Sequence, residues 1–232
     1  ALLAGVVAWF ALAIVAPRAA ATWAELSHPA PMQAEVEQRI AVALAAVGDA
    51  HDPNSAHFGA FRQRVLDEYG VTRVEDLPVN FGGLVMLEGE RLTTEAIAAE
   101  LNRQRDAWQA QLRRASTLGW LAPTLAVRDA AQAFAGTDFA HHREFLDGAE
   151  DRRYATVQAL NQLHATKIAA HNDREQKLDA AHWAEVPRAA IALPSLHVAA
   201  STLAQSAAQI AGWMLVGFAA LAWMGRRMER RA

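Results

Sequence analysis

The chain has 232 residues, with 22 Lys and Arg against 25 Asp and Glu and a formal charge of -3. No basic excess marks a nucleic-acid footprint, and 0 cysteines exclude a disulfide framework, a thiolate nucleophile and a cysteine-ligated metal site. The hydrophobic share of 53% and mean hydropathy of +0.01 are high for a soluble domain, and the excess lies at the two ends of the chain.

Residues 1–16 carry no charged side chain, and Pro17 and Arg18 follow them. About 20 apolar residues are needed to cross a bilayer. Residues 1–22 therefore read as a transmembrane helix whose start is missing, with Trp23 as its interfacial anchor. A signal peptide is the alternative, since small residues follow Arg18, but no basic residue precedes the apolar run.

The middle, residues 23–200, reads as an all-α, extracytoplasmic helical bundle rich in Ala, Leu, Arg, Glu and Gln. Apolar spacing predicts a helix over about 32–47 ended by Gly48, a turn at Asp52-Pro53-Asn54, and a helix over 55–69 stopped by Gly70. Residues 71–89 are the least helical stretch. Leu77-Pro78-Val79-Asn80-Phe81-Gly82-Gly83 reads as a structured loop, and any strand is confined to 71–86. A third helix is expected from Thr93 or Thr94, whose hydroxyls can cap free amides. Residues 118–134 form an apolar patch too short to span, which either lies on the membrane surface or packs in the core. Gly136-Thr137-Asp138 then opens a long helix reaching at least Ala170.

Residues 189–225 again lack any Asp, Glu, Lys or Arg. Residues 201–225 read as a second transmembrane helix, and 226–232 as a cytoplasmic basic tail. Trp223, Arg226 and Arg227 are the anchors at that interface. The resulting expectation is both ends in the cytoplasm and the middle outside.

Catalytic signals are sparse. There is no phosphate-binding loop, dinucleotide fingerprint, Gly-x-Ser-x-Gly elbow or His-Glu-x-x-His zinc helix. His141 and His142 are adjacent, so on a helix they point about 100° apart and cannot share one metal without distortion. His142 is placed to pair with Asp138 four residues earlier. His164 and His171 lie seven apart on one face, two turns distant. The run Glu144, Asp147, Glu150, Asp151, Arg152, Arg153 reads as a solvated face with local ion pairs. No catalytic residue, metal ligand or cofactor is assigned. Gly136, Thr137, Asp138, His141 and His142 are singled out as a structural corner, and the chain is expected not to be an enzyme.

Four segments carry a resemblance: Leu77-Pro78-Val79-Asn80-Phe81 with Gly83-Leu84; Ala122-Pro123 through Ala126-Val127-Arg128; Ala135-Gly136-Thr137-Asp138-Phe139-Ala140-His141-His142; and Phe145 with Glu150. Together they resemble ABC-2-type transporter permeases with a large extracytoplasmic domain of unknown function, the multi-copper-enzyme maturation permease group. The resemblance covers most of the middle and the last apolar segment. It implies the C-terminal part of a longer multi-pass protein of the bacterial cytoplasmic membrane, with the large domain on the periplasmic or extracellular side. The implied function is the permease subunit of an ABC-type exporter, powered by a separate ABC ATPase subunit. A dimer of permease subunits in the lipid bilayer is expected, with no nucleic-acid partner. A helical ligand-sensing domain of a two-span receptor predicts the same topology. A membrane-anchored enzyme is the third reading, disfavoured by the missing motifs.

Overall fold

The fold is taken from a computed structural model that describes residues 2–49, 52, 55–173, 175–187 and 195–230. Every regular element among them is helical. In chain order these are α1 (Leu2–Phe10), a π-helical turn (Ala11–Val15), α2 (Ala16–Ser27), α3 (Gln33–Val47), α4 (Ala56–Tyr69) and α5 (Phe81–Thr117). Then come α6 (Pro123–Ala135), α7 (Phe139–Lys167) and α8 (Ala200–Glu229). Short 3-10 turns occupy Val74–Asp76, Leu118–Trp120, Ala170–Asn172, Ala180–Glu185 and Leu196–Ala199.

Contacts divide the chain into two compact units. The first gathers residues 1–30, 105–146 and 193–232; the second gathers 31–104 and 147–192. The first unit thus holds both apolar ends together with α6.

Several helix ends follow directly from glycine. Gly70 takes φ +66, and the amides of Gly70 and Val71 return to the carbonyls of Asp67 and Leu66, closing α4. Gly48, at φ +85, ends α3. The expected turn at Asp52-Pro53-Asn54 falls partly outside the described residues.

The third helix starts earlier than the sequence predicts. It begins at Phe81 rather than at Thr93 or Thr94, and residues 81–89, expected to be non-helical, are its first turns. Thr93 lies mid-helix and its hydroxyl donates back to the Gly89 carbonyl at 2.8 Å. The cap is Asn80, whose side-chain oxygen accepts from the Gly83 amide. Gly82-Gly83 reads as a turn pair, but Gly83 has a different reason. A Cβ there would meet the backbone of Ala165 on α7, so the glycine permits a close approach of two helices. The Asn80 amide donates to the Ala165 carbonyl at 2.8 Å and its side chain to Asp173 at 2.6 Å. The long helix α7 ends at Lys167, short of the expected Ala170, which instead opens a 3-10 turn.

The second unit buries Val36, Phe58, Val65, Leu66 and Leu163. Charge is laid over this core. Glu88 takes Arg91 at 2.9 Å and His57 at 2.9 Å, and Arg153 joins Glu90 and Glu150 at 2.7 Å each. Glu100, itself buried, pairs with Arg103 and Arg39. The expected solvated charge face at 144–153 therefore includes an arginine that ties α7 to α5.

In the first unit, α6 packs along α8 and also touches the π-helical turn of the first apolar helix. Ala20, Ala122 and Leu125 form its core, with Ala16 and Leu118 against them. Residues 3–27 and 196–229 are each long and apolar enough to cross a membrane. Only 6% of either apolar window is buried within the chain. Leu3, Trp9, Leu215, Phe218 and Leu221 all face outward.

Candidate functional site

The first unit contains a cavity of about 360 Å³ walled by the ends of four helices. Gln109, Arg113 and Ser116 come from α5, Asp129 and Gln132 from α6, and Phe139 from the first residue of α7. The fourth wall is the start of α8, with Ser201, Thr202, Gln205 and Ser206.

Local sequence explains how these side chains converge. Pro123 pre-sets the first turn of α6, and Gly136 at φ +67 ends it. The Gly136 amide donates to the Ala133 carbonyl and the Thr137 amide to that of Gln132, satisfying the last carbonyls of α6. One residue later Asp138 starts α7, its Oδ1 accepting from the His141 amide at 2.9 Å. The Gly136-Thr137-Asp138 segment therefore closes one helix and opens the next, and it places Asp138 at the cavity wall.

Asp138 pairs with His141, not with His142 as the four-residue spacing predicts. Its Oδ1 lies 2.5 Å from His141 Nδ1. The reason is the cap itself: an extended residue before a helix aims its side chain over the third helical residue, which is His141. His141 is buried and His142 is exposed. Asp138 Oδ2 is also buried and has no hydrogen-bond partner. His164 bonds Asp173 at 2.5 Å in the second unit. Among the described residues no three His, Cys, Asp or Glu side chains are grouped to hold a metal ion.

The Asp129 carboxylate on the α6 wall is paired at both oxygens. Buried Asp129 accepts from Ser116 at 2.5 Å and from its neighbour Arg128 at 2.7 Å. The wall residue Ser206 and, one turn further along α8, Gln209 are almost completely buried, and Gln209 donates to the Ser116 carbonyl at 2.8 Å. The Phe139 ring meets Trp108 edge-on at 6.2 Å. The site combines hydroxyls, amides, the arginines Arg113 and Arg128, one carboxylate oxygen awaiting a donor and an aromatic edge. That inventory can hydrogen-bond a small polar solute.

Sequence reasoning found the corner but not the cavity. Its signal was nevertheless present: Thr202, Gln205, Ser206 and Gln209 recur at helical spacing inside a charge-free run, a polar stripe on an apolar helix. Trp23 and Trp223 are exposed, Arg226 and Arg227 follow Trp223, and the Arg227 guanidinium lies 5.1 Å from the Trp223 ring centre.

No curated protein and no solved structure matches this chain. A family model does, over residues 32–190, which cover the helices α3 to α7 and the glycine corner. By that match, the chain belongs to the family described as a domain of unknown function, DUF3526.

Proposed function

We propose that the chain is the membrane-spanning permease part of an ABC-type exporter, driven by a separate ATPase subunit. One observation carries the reading: two apolar, outward-facing helices bracket the family domain, and arginines follow the second. The resemblance to ABC-2-type permeases supplies the transport chemistry, and the absence of a phosphate loop in the sequence is consistent with an ATPase on another chain. The arginines belong on the cytoplasmic side, which puts the domain on the periplasmic or extracellular face of the bacterial cytoplasmic membrane. The polar stripe of α8 and the cavity beside it are where a solute would be held.

Reporter fusions test the topology. A periplasm-dependent reporter should be active near Gly89 and inactive at Ala232, and activity at Ala232 overturns the orientation. Affinity purification from the native membrane should recover an ABC ATPase whose hydrolysis depends on this chain; recovery without any ATPase overturns the transporter reading. The cavity at the start of α8 favours a second reading, a ligand-sensing domain of a two-span receptor. That reading predicts a cytoplasmic signalling partner in the same purification.

A further inference from the structure

The corner between α5 and α6 has properties that an aqueous domain does not need. Residues 115–127 contain no charged side chain, with Arg113 and Arg114 before them and Arg128 after. Helix α6 is apolar on two faces. Ala122, Leu125, Ala126 and Ala133 are buried, whereas Leu121, Val127 and Phe134 are 66%, 55% and 68% exposed, and Trp120 is 54% exposed. Leu121, Thr124, Val127, Ala131 and Phe134 follow one another at helical spacing, so the exposed residues form a single stripe.

The corner also lies beside both apolar helices rather than beyond their ends. Thr124 donates to the Leu12 carbonyl in the π-helical turn. Trp120 packs against Gly212 of α8 so closely that a Cβ there would lie 2.7 Å from its ring. Counting about 20 residues back from Arg226 puts the far edge of the hydrocarbon near Ser206. At 1.5 Å per residue, Gly212 then lies about 9 Å inside that edge.

Non-helical backbone is tolerated at such depth only where its polar groups are satisfied by protein. Here they are. Gln209 donates to the Ser116 carbonyl at 2.8 Å, and Trp213 Nε1 donates to the Gly119 carbonyl at 3.1 Å. The Leu121 and Ala122 amides return to the Leu118 carbonyl. Gly119 has no Cβ because Gln209 fills that space.

The geometry points to the α5–α6 corner as a re-entrant element: Trp120, Leu121 and Val127 enter the hydrocarbon layer and contact acyl chains. The occupant is lipid because the stripe continues the outward apolar surface of the flanking helices, including Leu215 and Phe218. Arg128 follows the stripe with its side chain 47% exposed, and its guanidinium is held by Asp129 at the polar cavity rather than on the apolar stripe. The proposal rests on the membrane reading above.

The natural absence of cysteine makes the test direct. Single variants of the full chain, Leu121→Cys, Val127→Cys, Phe218→Cys and Arg62→Cys, are labelled with an environment-sensitive fluorophore. They are reconstituted into phosphatidylcholine–phosphatidylglycerol vesicles, with and without lipids spin-labelled on the acyl chain. Positions 121 and 127 should be blue-shifted and lose emission to the same degree as 218, while position 62 loses none. If 218 is not quenched, the membrane reading fails and this inference with it. Quenching at 218 but not at 121 overturns the inference alone. A blue shift at 121 without quenching also overturns it, because a protein surface such as a second copy then covers the corner.

Discussion

Gly83 and Gly59 both sit inside helices, yet only one is required. A side chain at Gly83 would drive into Ala165, whereas nothing lies within 4 Å of one at Gly59. Gly83→Ala should therefore cost about 1–3 kcal/mol by overpacking. Gly59→Ala should be neutral or gain up to about 1 kcal/mol from helix propensity. Thermal unfolding of the two variants in detergent should separate them in opposite directions. Glu88 makes a second residue-level case. Arg91 beside it, opposed by burial and helped by His57, holds its carboxyl at about 2 against an ordinary 4.5. A carboxylate whose value is lowered by folding contributes stability that is complete above the ordinary value and is lost as pH falls from 4.5 towards about 2. Glu88→Gln should flatten the acid limb of the stability profile across that window, by on the order of 1–2 kcal/mol after screening at the exposed arginine. An unchanged limb would show that the pair gives no folded-state preference. The Gly83 contact was not legible in the sequence, because it depends on α7; Glu88 and Arg91 lie three apart on one helix, and the His57 partner is brought by another.

At the scale of elements, the helix ends set by positive-φ glycine could be read in advance and the start set by packing could not. Gly48, Gly70 and Gly136 stop helices through their own backbone freedom, a local property visible as a glycine after an apolar period. The start of α5 at Phe81 depends on Asn80 being fixed by Ala165 and Asp173, more than 80 residues later in the chain. Locally, paired glycines after Asn read as a loop. The cavity was missed for a similar reason: its polar stripe on α8 is visible, but the carboxylate it faces comes from the start of α7. That start yields a prediction. Asp138→Ala removes both the cap to the His141 amide and the partner of the buried His141 ring, and should destabilise the chain by about 1–2 kcal/mol. Thr137 is exposed, and its hydroxyl reaches the Gln132 carbonyl only at 3.4 Å. Thr137→Ala should shift stability by no more than about 0.5 kcal/mol. Denaturant titration of the two variants against wild type measures both, and an equal loss in each would move the cap from Asp138 to Thr137.

For the whole molecule, the all-helical class and the two apolar ends followed from composition and periodicity, which are averages over many residues. The grouping of α6 with the apolar ends did not, because it depends on contacts between distant segments. That grouping has a consequence in time. The carbonyl of Gly119 and the indole of Trp213 that satisfies it are 94 residues apart. At a synthesis rate of about 5–20 residues per second, the corner waits roughly 5–20 s for its donor. During that interval its apolar stripe and its unpaired carbonyls are exposed together, while residues 147–192 of the second unit are being made. Completion of the first unit therefore waits for α8. A chain stopped at residue 195 should be cut by protease at the 118–122 corner, where the full chain resists. Equal resistance of the two chains would show that the corner matures without α8. The bond between Trp213 and Gly119 is thus a late step in the assembly of the first unit, made across 94 residues of chain.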